Sequence, residues 1–296
     1  MAIAITTPTG NVGQQVTERL LVKGADLILL VRDASKLGDF VKQQVKVFSG
    51  AIAEPAFVIE ATKEAEALFR VSPVNFNSQN VLAWYEDIAR SAATAMKTNN
   101  IARVVNLSNV GAHLNTGLGP ISGLHTIEKL LDEAATNIVH LRPDYFMENY
   151  FHQLEALQTQ SSIFLPLSGE QRFKQIATCD IAQVAADLLL DNSWQGRSVI
   201  GLQGAANISF DEAAATLSDL LGKTITHKQI SYEQFGDALI NQGATPDVAF
   251  QYSQMWQGLS HPDFKPAQTS SNKTMLTTFA EFVRNSLVPL LKQNYG

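Results

Sequence analysis

The chain has 296 residues, a mass of 32.3 kDa, 45% apolar residues and a net charge of −6. A chain of this size can bury one large core, or one full domain with a smaller lobe. The acidic balance, with no concentrated Lys/Arg face, argues against nucleic acid as the main partner. No apolar stretch is long enough to span a bilayer, so no membrane role is expected. A protein partner or a second copy of the chain stays open.

The N-terminal apolar run has no basic region before it and reads as a buried strand rather than a secretion signal. Cys179 is the sole cysteine. It rules out an intrachain disulfide framework and fits a reducing compartment, so the cytoplasm is predicted.

In chain order, Ala2–Thr6 reads as a strand and residues 12–22 as a helix, with Gly24 as its C-cap. The near-continuous apolar run 27–31 fits a parallel strand covered on both faces. Further strands are predicted at 46–48, 67–71, 102–107 and 138–141, with helices over 77–97 and 123–134. Strands alternating with helices predict an α/β fold: a Rossmann-type doubly wound parallel sheet over residues 1–150.

From 151 to 296 a smaller, mainly helical lobe is predicted, interleaved with returns to the main sheet. Its helices are expected at 146–159, 180–190, 232–241, 247–257 and 274–287, with a late strand at 198–201. Ser209 and Glu212 have capping-box spacing ahead of a helix that runs to Leu221.

Thr7-Pro8-Thr9-Gly10-Asn11-Val12-Gly13 keeps the last two glycines of a GxxGxxG turn. Gly10 would let a phosphate approach the backbone, and Gly13 would let the helix pack closely on the sheet. Free N–H groups at the helix start suit a pyrophosphate. Arg32 ends the second strand, where a ribose 2′ group sits in such folds, and Lys36 adds charge. A guanidinium there favours NADP, whereas Asp33 turned inward would favour NAD. NADPH is the preferred cofactor, with NAD possible. The strand ends Ser72-Pro73-Val74 and Leu107-Ser108-Asn109 should line the adenosine and nicotinamide sides.

The segments TPTGNVG, LVRD, LSNVGAH, GLHTIEKLL, LRPDYFMENY, CDIAQVAADLLL and ISFDEAAATLSDLLGK together resemble the NmrA-like branch of atypical short-chain dehydrogenase/reductases. That family includes NAD(P)H-dependent quinone and dye reductases, and non-enzymatic proteins that bind NADP and regulate partners. The resemblance implies that residues from Arg142 through Pro143 to Asn149 wall the nicotinamide and substrate cleft. The chain departs from the family where glycine is common, at Thr7, and where aspartate is common, at Ala51.

No tyrosine is followed by lysine in a Tyr-x-x-x-Lys spacing, which argues against ordinary alcohol dehydrogenation. His125 and Lys129 can share a helix face. His125 is the candidate proton donor, and Lys129 a candidate ribose contact. The family's usual histidine falls on Leu124, and Glu128-Lys129 also reads as a solvated face.

Tyr145, Phe146, Met147, Asn149 and Tyr150 form the candidate substrate platform for a flat ligand, or else anchor one lobe to the other. Cys179 reads as a buried structural thiol. There is no HExxH, Walker A or G-x-S-x-G motif, and the six histidines have no metal-ligand spacing, so no metal is predicted. The expected function is NADPH-dependent reduction of a small electrophile, a quinone or related carbonyl compound. The alternative is a non-catalytic NADP-binding redox sensor acting through a protein partner.

Overall fold

The structure, a computed structural model, describes residues 2–266 and 269–293. Its strands are β1 (Ala2–Thr6), β2 (Asp26–Val31), β3 (Lys46–Ser49), β4 (Ala67–Arg70), β5 (Arg103–Leu107), β6 (Ile138–Pro143), β7 (Ser162–Leu165), β8 (Arg172–Lys174), β9 (Arg197–Gln203), β10 (Asn207–Ser209), β11 (Thr226–Gln229) and β12 (Ser271–Thr274). Its helices are α1 (Asn11–Val22), α2 (Asp39–Lys42), α3 (Pro55–Ala61), α4 (Val81–Thr98), α5 (Pro120–Asp132), α6 (Leu154–Thr159), α7 (Thr178–Leu190), α8 (Phe210–Leu221), α9 (Tyr232–Asn241), α10 (Pro246–Ser260), α11 (Phe279–Phe282) and α12 (Val288–Gln293).

Eight strands pair in parallel in the order β12-β9-β6-β5-β4-β1-β2-β3, so the architecture is a Rossmann-type α/β sheet. Alternation decides the two faces. Ile3 and Ile5 join the core under α1 and α7, while Ala4 joins the core under α4 and α5. Both faces are covered, which is why these strands are apolar throughout. β1 lies between β2 and β4: the chain runs outward from β1 to β2 and β3 and then crosses back to β4 on the other side, which opens a crevice at the carboxyl end of β1.

A third core joins the segment after β6 to α8, α10 and α11 through Tyr145, Tyr150, Phe173, Phe210, Trp256 and Phe279. The chain beyond residue 150 is mostly helical, yet α7 packs on the sheet and β9 and β12 extend it. No helix among the described residues is long and apolar enough to cross a membrane.

Several boundaries differ from the sequence reading for local reasons. The helix expected over 77–97 begins at Val81, because the Asn80 side chain caps it by accepting from the Ala83 amide, 2.9 Å. The segment 146–159 is split into a 3₁₀ stretch, Met147–Gln153, and α6. The helix expected from 274 is replaced by strand β12 ending at Thr274, and α11 starts only after the Thr278 capping box. Strands β7, β8, β10 and β11 were not foreseen. They are short, and β8/β10 and β7/β11 form separate two-stranded pairs. Gly24 takes φ +72 one residue past the C-cap, with Ala25 donating to Leu20 and Gly24 to Leu21, a Schellman ending.

Candidate functional site

The turn between β1 and α1 is bound to the neighbouring strand β4. The Val71 amide donates to Thr6 Oγ1 at 2.8 Å, and Thr7 Oγ1 donates to the Val71 carbonyl at 3.4 Å. Thr7 takes φ +54, a left-handed backbone that glycine adopts freely and a β-branched residue does not. The backbone therefore adopts at Thr7 a conformation that the family's glycine would take without strain.

Gly13 is obligatory for a different reason. A Cβ there would lie 2.2 Å from the Thr7 carbonyl oxygen, so α1 can approach the turn only without a side chain at that position. Gly10 is the N-cap and supplies no side-chain cap, leaving the first-turn amides of α1 uncovered by a side chain. Thr9 and Asn11 are exposed, and Val12 is buried in the core.

At the end of β2, Arg32 is exposed and has no hydrogen bond or ion pair among the described residues. Asp33 does not compete for the same space. Its carboxylate accepts from the Ser35 hydroxyl at 2.6 Å and the Ser35 amide at 2.9 Å, capping the turn Ala34–Lys36. Those bonds, the hydroxyl's first, hold the Asp33 carboxyl below its ordinary range. Lys36, three positions after Asp33 in the same turn, is exposed.

The other predicted strand ends meet at this edge. Trp84 Nε1 donates to the Pro73 carbonyl at 3.1 Å, fixing the Ser72-Pro73-Val74 stretch. The Ser108 amide donates to Leu141 and the Val110 amide to Pro143, so Leu107-Ser108-Asn109 lies against the end of β6. Ser108 Oγ is buried without a hydrogen-bond partner among the described residues. The uncapped helix start, the unpaired Arg32 and this orphaned hydroxyl together fit a dinucleotide lying across the strand ends.

Below that edge runs a buried polar row that the sequence reading missed. Arg70, Asn106 and His140 are partners in register on β4, β5 and β6. Arg70 Nη1 donates to Ser72 Oγ at 2.7 Å and Asn106 Oδ1 at 3.2 Å, while its Nη2 has no hydrogen-bond partner among the described residues. His140 then meets Asp132 at 3.2 Å. Burial without a carboxylate lowers the Arg70 guanidinium to about 9. The only sequence signal was one arginine interrupting an apolar strand, ALFRV.

Glu128 corrects another expectation. Instead of a solvated face, it is buried and forms a two-pronged ion pair with buried Arg142: Nε to Oε1 at 2.9 Å, and Nη2 to Oε2. Only Lys129 is exposed. The pair ties α5 to the end of β6.

His125 is half-buried, with Nδ1 3.0 Å from the Ala112 carbonyl oxygen. A carbonyl only accepts, so Nδ1 is the donor in this contact. His113, unmentioned by sequence reasoning, is near the same group. Burial first, then the Arg142 charge, lowers its proton affinity.

The aromatic segment is placed mainly inside. Tyr145, Met147 and Tyr150 are buried, and the Tyr145 ring contacts Tyr150, Phe173, Phe210 and Trp256. Phe146 and Asn149 are half-buried. This is where the lobe-anchoring alternative would put the rings, and none of the five lines either of the two main cavities.

The larger cavity, about 370 Å³, lies between the first turns of α1 and α7 and the C-terminal helices. Glu148 forms part of its wall and holds α7, accepting from the Thr178 amide at 2.9 Å and hydroxyl at 2.6 Å. Cys179 also lines it, half-buried rather than fully enclosed, and burial raises its thiol pKa, so it is a poor nucleophile. A smaller cavity, about 120 Å³, opens at the ends of β6 and β9 beside Val110, Arg142, Asp144 and Gln203. Burial raises the Asp144 carboxyl to about 6.

Residues 8–192 match the NAD(P)H-binding family model. The chain belongs to the NAD(P)H-binding family. Within it, the chain is 24% identical over 286 residues to the NAD(P)H azoreductase of Xenophilus azovorans, spanning 95% of this chain and 96% of that one. It is 23% identical to quinone oxidoreductase 2 of Escherichia coli, over 83% of this chain and 84% of the relative.

Among solved structures, the NADPH complex of the E. coli NADPH-dependent quinone oxidoreductase superposes with TM-score 0.74 at 21% identity, covering 99% of this chain and all of that one. The triphenylmethane reductase of Citrobacter sp. gives TM-score 0.73 at 20% identity over 88% and 89% of the two chains. The structural likenesses establish a shared fold for this NAD(P)H-binding protein.

Proposed function

We propose that this chain is an NADPH-dependent reductase of a small electrophile, in the NmrA-like branch of atypical short-chain dehydrogenase/reductases. Quinones and related carbonyl compounds are the first class to test. The observation that carries the cofactor assignment is the division of labour at the end of β2: Asp33 is engaged by Ser35, and Arg32 stands exposed and unpaired. A planar guanidinium there matches a 2′-phosphate. The family match supports the nucleotide, and the azoreductase and quinone oxidoreductase relatives support the reductase.

When bound, NADPH supplies a hydride. The residues proposed to hold it are Thr7, Thr9, Gly10, Asn11, Val12 and Gly13 around the pyrophosphate, with Arg32 and Lys36 at the 2′-phosphate. Ser72, Pro73 and Val74 flank the adenosine half, and Leu107, Ser108, Asn109 and Pro143 the nicotinamide half. The Glu128–Arg142 pair keeps α5 and the β6 end in register, which serves orientation rather than proton transfer.

The test is direct binding of NADPH and NADH to the parent and to Arg32→Ala. The variant should lose about 10- to 100-fold in NADPH affinity, the worth of a charge-assisted hydrogen bond, with NADH little changed. Equal losses for both cofactors would remove Arg32 from 2′-phosphate recognition. Substrate-dependent NADPH oxidation across quinones, dyes and carbonyls then tests the reductase.

A second reading, NADP-linked sensing through a protein partner or homodimer, draws on the missing Tyr-x-x-x-Lys pair and on exposed Phe76 and Phe250. It requires partner affinity to change with NADP(H), since such coupling is reciprocal.

A further inference from the structure

The smaller cavity adjoins the residues proposed above for the nicotinamide half. Its wall includes Val110, which follows Asn109, Arg142 and Asp144, which flank Pro143, and Gln203 and Asn272 on β9 and β12. Backbone pairing carries this arrangement past the end of β6. The Val110 amide donates to the Pro143 carbonyl at 3.1 Å, and the Asp144 amide to the Leu202 carbonyl at 3.0 Å. At about 120 Å³ the cavity is smaller than a pocket that encloses a whole ligand, so it takes the end of one.

Among the described residues of its wall, only Arg142 and Asp144 have ionisable side chains. Arg142 is engaged by Glu128 on two nitrogens, and a guanidinium does not give up a proton. Asp144 is held differently. Its Oδ1 accepts from the Tyr145 amide at 2.8 Å. The residue is half-buried, so its carboxyl is withdrawn from bulk water and still borders the cavity. Burial outweighs the Tyr145 and Lys174 backbone amides and the Lys174 charge, and holds the acid at about 6. An acid in that range is close to the working pH, where proton donation is most effective.

Few charges face this carboxyl. Lys174 comes from β8, its Nζ donating to Gln203 Oε1 at 2.7 Å. Arg142 precedes Asp144 on the same strand, with Glu128 of α5 and His113 of the loop after β5 beyond it. β9 and β12 present Gln203 and Asn272, which are uncharged.

From this placement we infer that the cavity receives the carbonyl oxygen of the acceptor and that the Asp144 carboxyl is its proton donor. The inference rests on the reductase reading above, and it supplies the acid that no Tyr-x-x-x-Lys pair provides. The carbonyl carbon takes a hydride with its electron pair from the reduced nicotinamide and forms one C–H bond, while the π pair of the C=O bond moves onto oxygen. That oxygen takes the proton from Asp144. The products are a hydroxyl group, NADP⁺ and an Asp144 carboxylate, which the Lys174 charge favours until solvent returns the proton.

The experiment follows single-turnover oxidation of bound NADPH by phenanthrenequinone in the parent and in Asp144→Asn, from about pH 5 to about pH 8.5, with NADPH affinity measured by calorimetry. Asparagine keeps the size and an acceptor for the Tyr145 amide but has no acidic proton. The parent rate should hold below about pH 6 and fall about tenfold per pH unit above it. The variant should be slower by about 100-fold at the acid end, with a flat profile and unchanged NADPH affinity.

A parent rate independent of pH, or a variant that keeps the parent's slope, overturns the proton-donor role and leaves the reductase standing. A loss of NADPH affinity large enough to account for the slower rate also overturns it, because Asp144 would then act only on the shape of the cofactor site. Tight NADPH binding by the parent with no oxidation by any quinone, dye or carbonyl compound removes the reductase, and the acid with it.

Discussion

Removal of the Glu128 carboxylate strands Arg142. Both side chains are more than nine-tenths buried, and the guanidinium is met by the carboxylate on two of its nitrogens. In Glu128→Ala the positive charge would remain enclosed without its counter-ion. Breaking a buried pair in this way costs about 3–5 kcal/mol, a large share of a total stability on the order of 5–15 kcal/mol. For a chain of this length that corresponds to a drop of roughly 5–8 °C in Tm.

Glu128→Ala/Arg142→Met removes both charges and fills part of the space, so it should recover most of the loss. A double-mutant cycle in urea, with unfolding followed by circular dichroism, isolates the coupling. A Glu128→Ala loss under about 1 kcal/mol, or a double variant as poor as the sum of the singles, would refute the argument that the pair is held at low dielectric. The same cycle tests function, because the pair ties α5 to the end of β6: Glu128→Ala should lower NADPH-dependent turnover more than NADPH binding.

Three further outcomes are expected. Gly13→Ala places a Cβ 2.2 Å from the Thr7 carbonyl, so α1 must shift from the turn and NADPH affinity should fall sharply by calorimetry. Unchanged affinity would mean that the turn is not the cofactor's anchorage. Asp144 is an acid raised from 3.8 to about 6, so the folded state holds its proton more tightly than the unfolded chain. Its contribution to stability therefore falls as pH rises through about 4 to 6, and Asp144→Asn should flatten that part of the stability profile. The variant should also be more stable at pH 7, by at most about 3 kcal/mol, and a profile unchanged by it would contradict the burial argument. Thr7→Gly should relieve the left-handed strain and raise Tm by a few degrees, whereas a fall would show that the hydroxyl contact to Val71 outweighs it.

The dinucleotide crevice was legible because its signals are local. A strand such as AIAIT, two glycines at fixed spacing and an amphipathic helix with Gly24 after it each act over a few residues. The Ser209–Glu212 capping box was readable on the same grounds. Glu128 was not. Helical spacing put it beside Lys129 on an apparently polar face, and only Arg142, fourteen residues later on β6, makes its burial tolerable. The role of the aromatic run after Pro143 also depended on distant partners. Tyr145 touches Phe173, Phe210 and Trp256, whose approach is set by long-range packing with no short-range signature.

The sequence by itself determined a parallel α/β sheet, a glycine turn at the start of α1 that lacks the first glycine, and an arginine at the end of the second strand. Each follows from steric and hydrogen-bonding rules acting on neighbouring residues. The tertiary structure alone decided that the Asp33 carboxylate turns to Ser35 while Arg32 stays exposed, that Arg70, Asn106 and His140 form a buried row, and that two glutamates line the cavity between α1, α7 and the C-terminal helices. Those facts depend on which strands and helices come together. A side chain's charge state and exposure are set by what is folded against it, including residues far away in the chain.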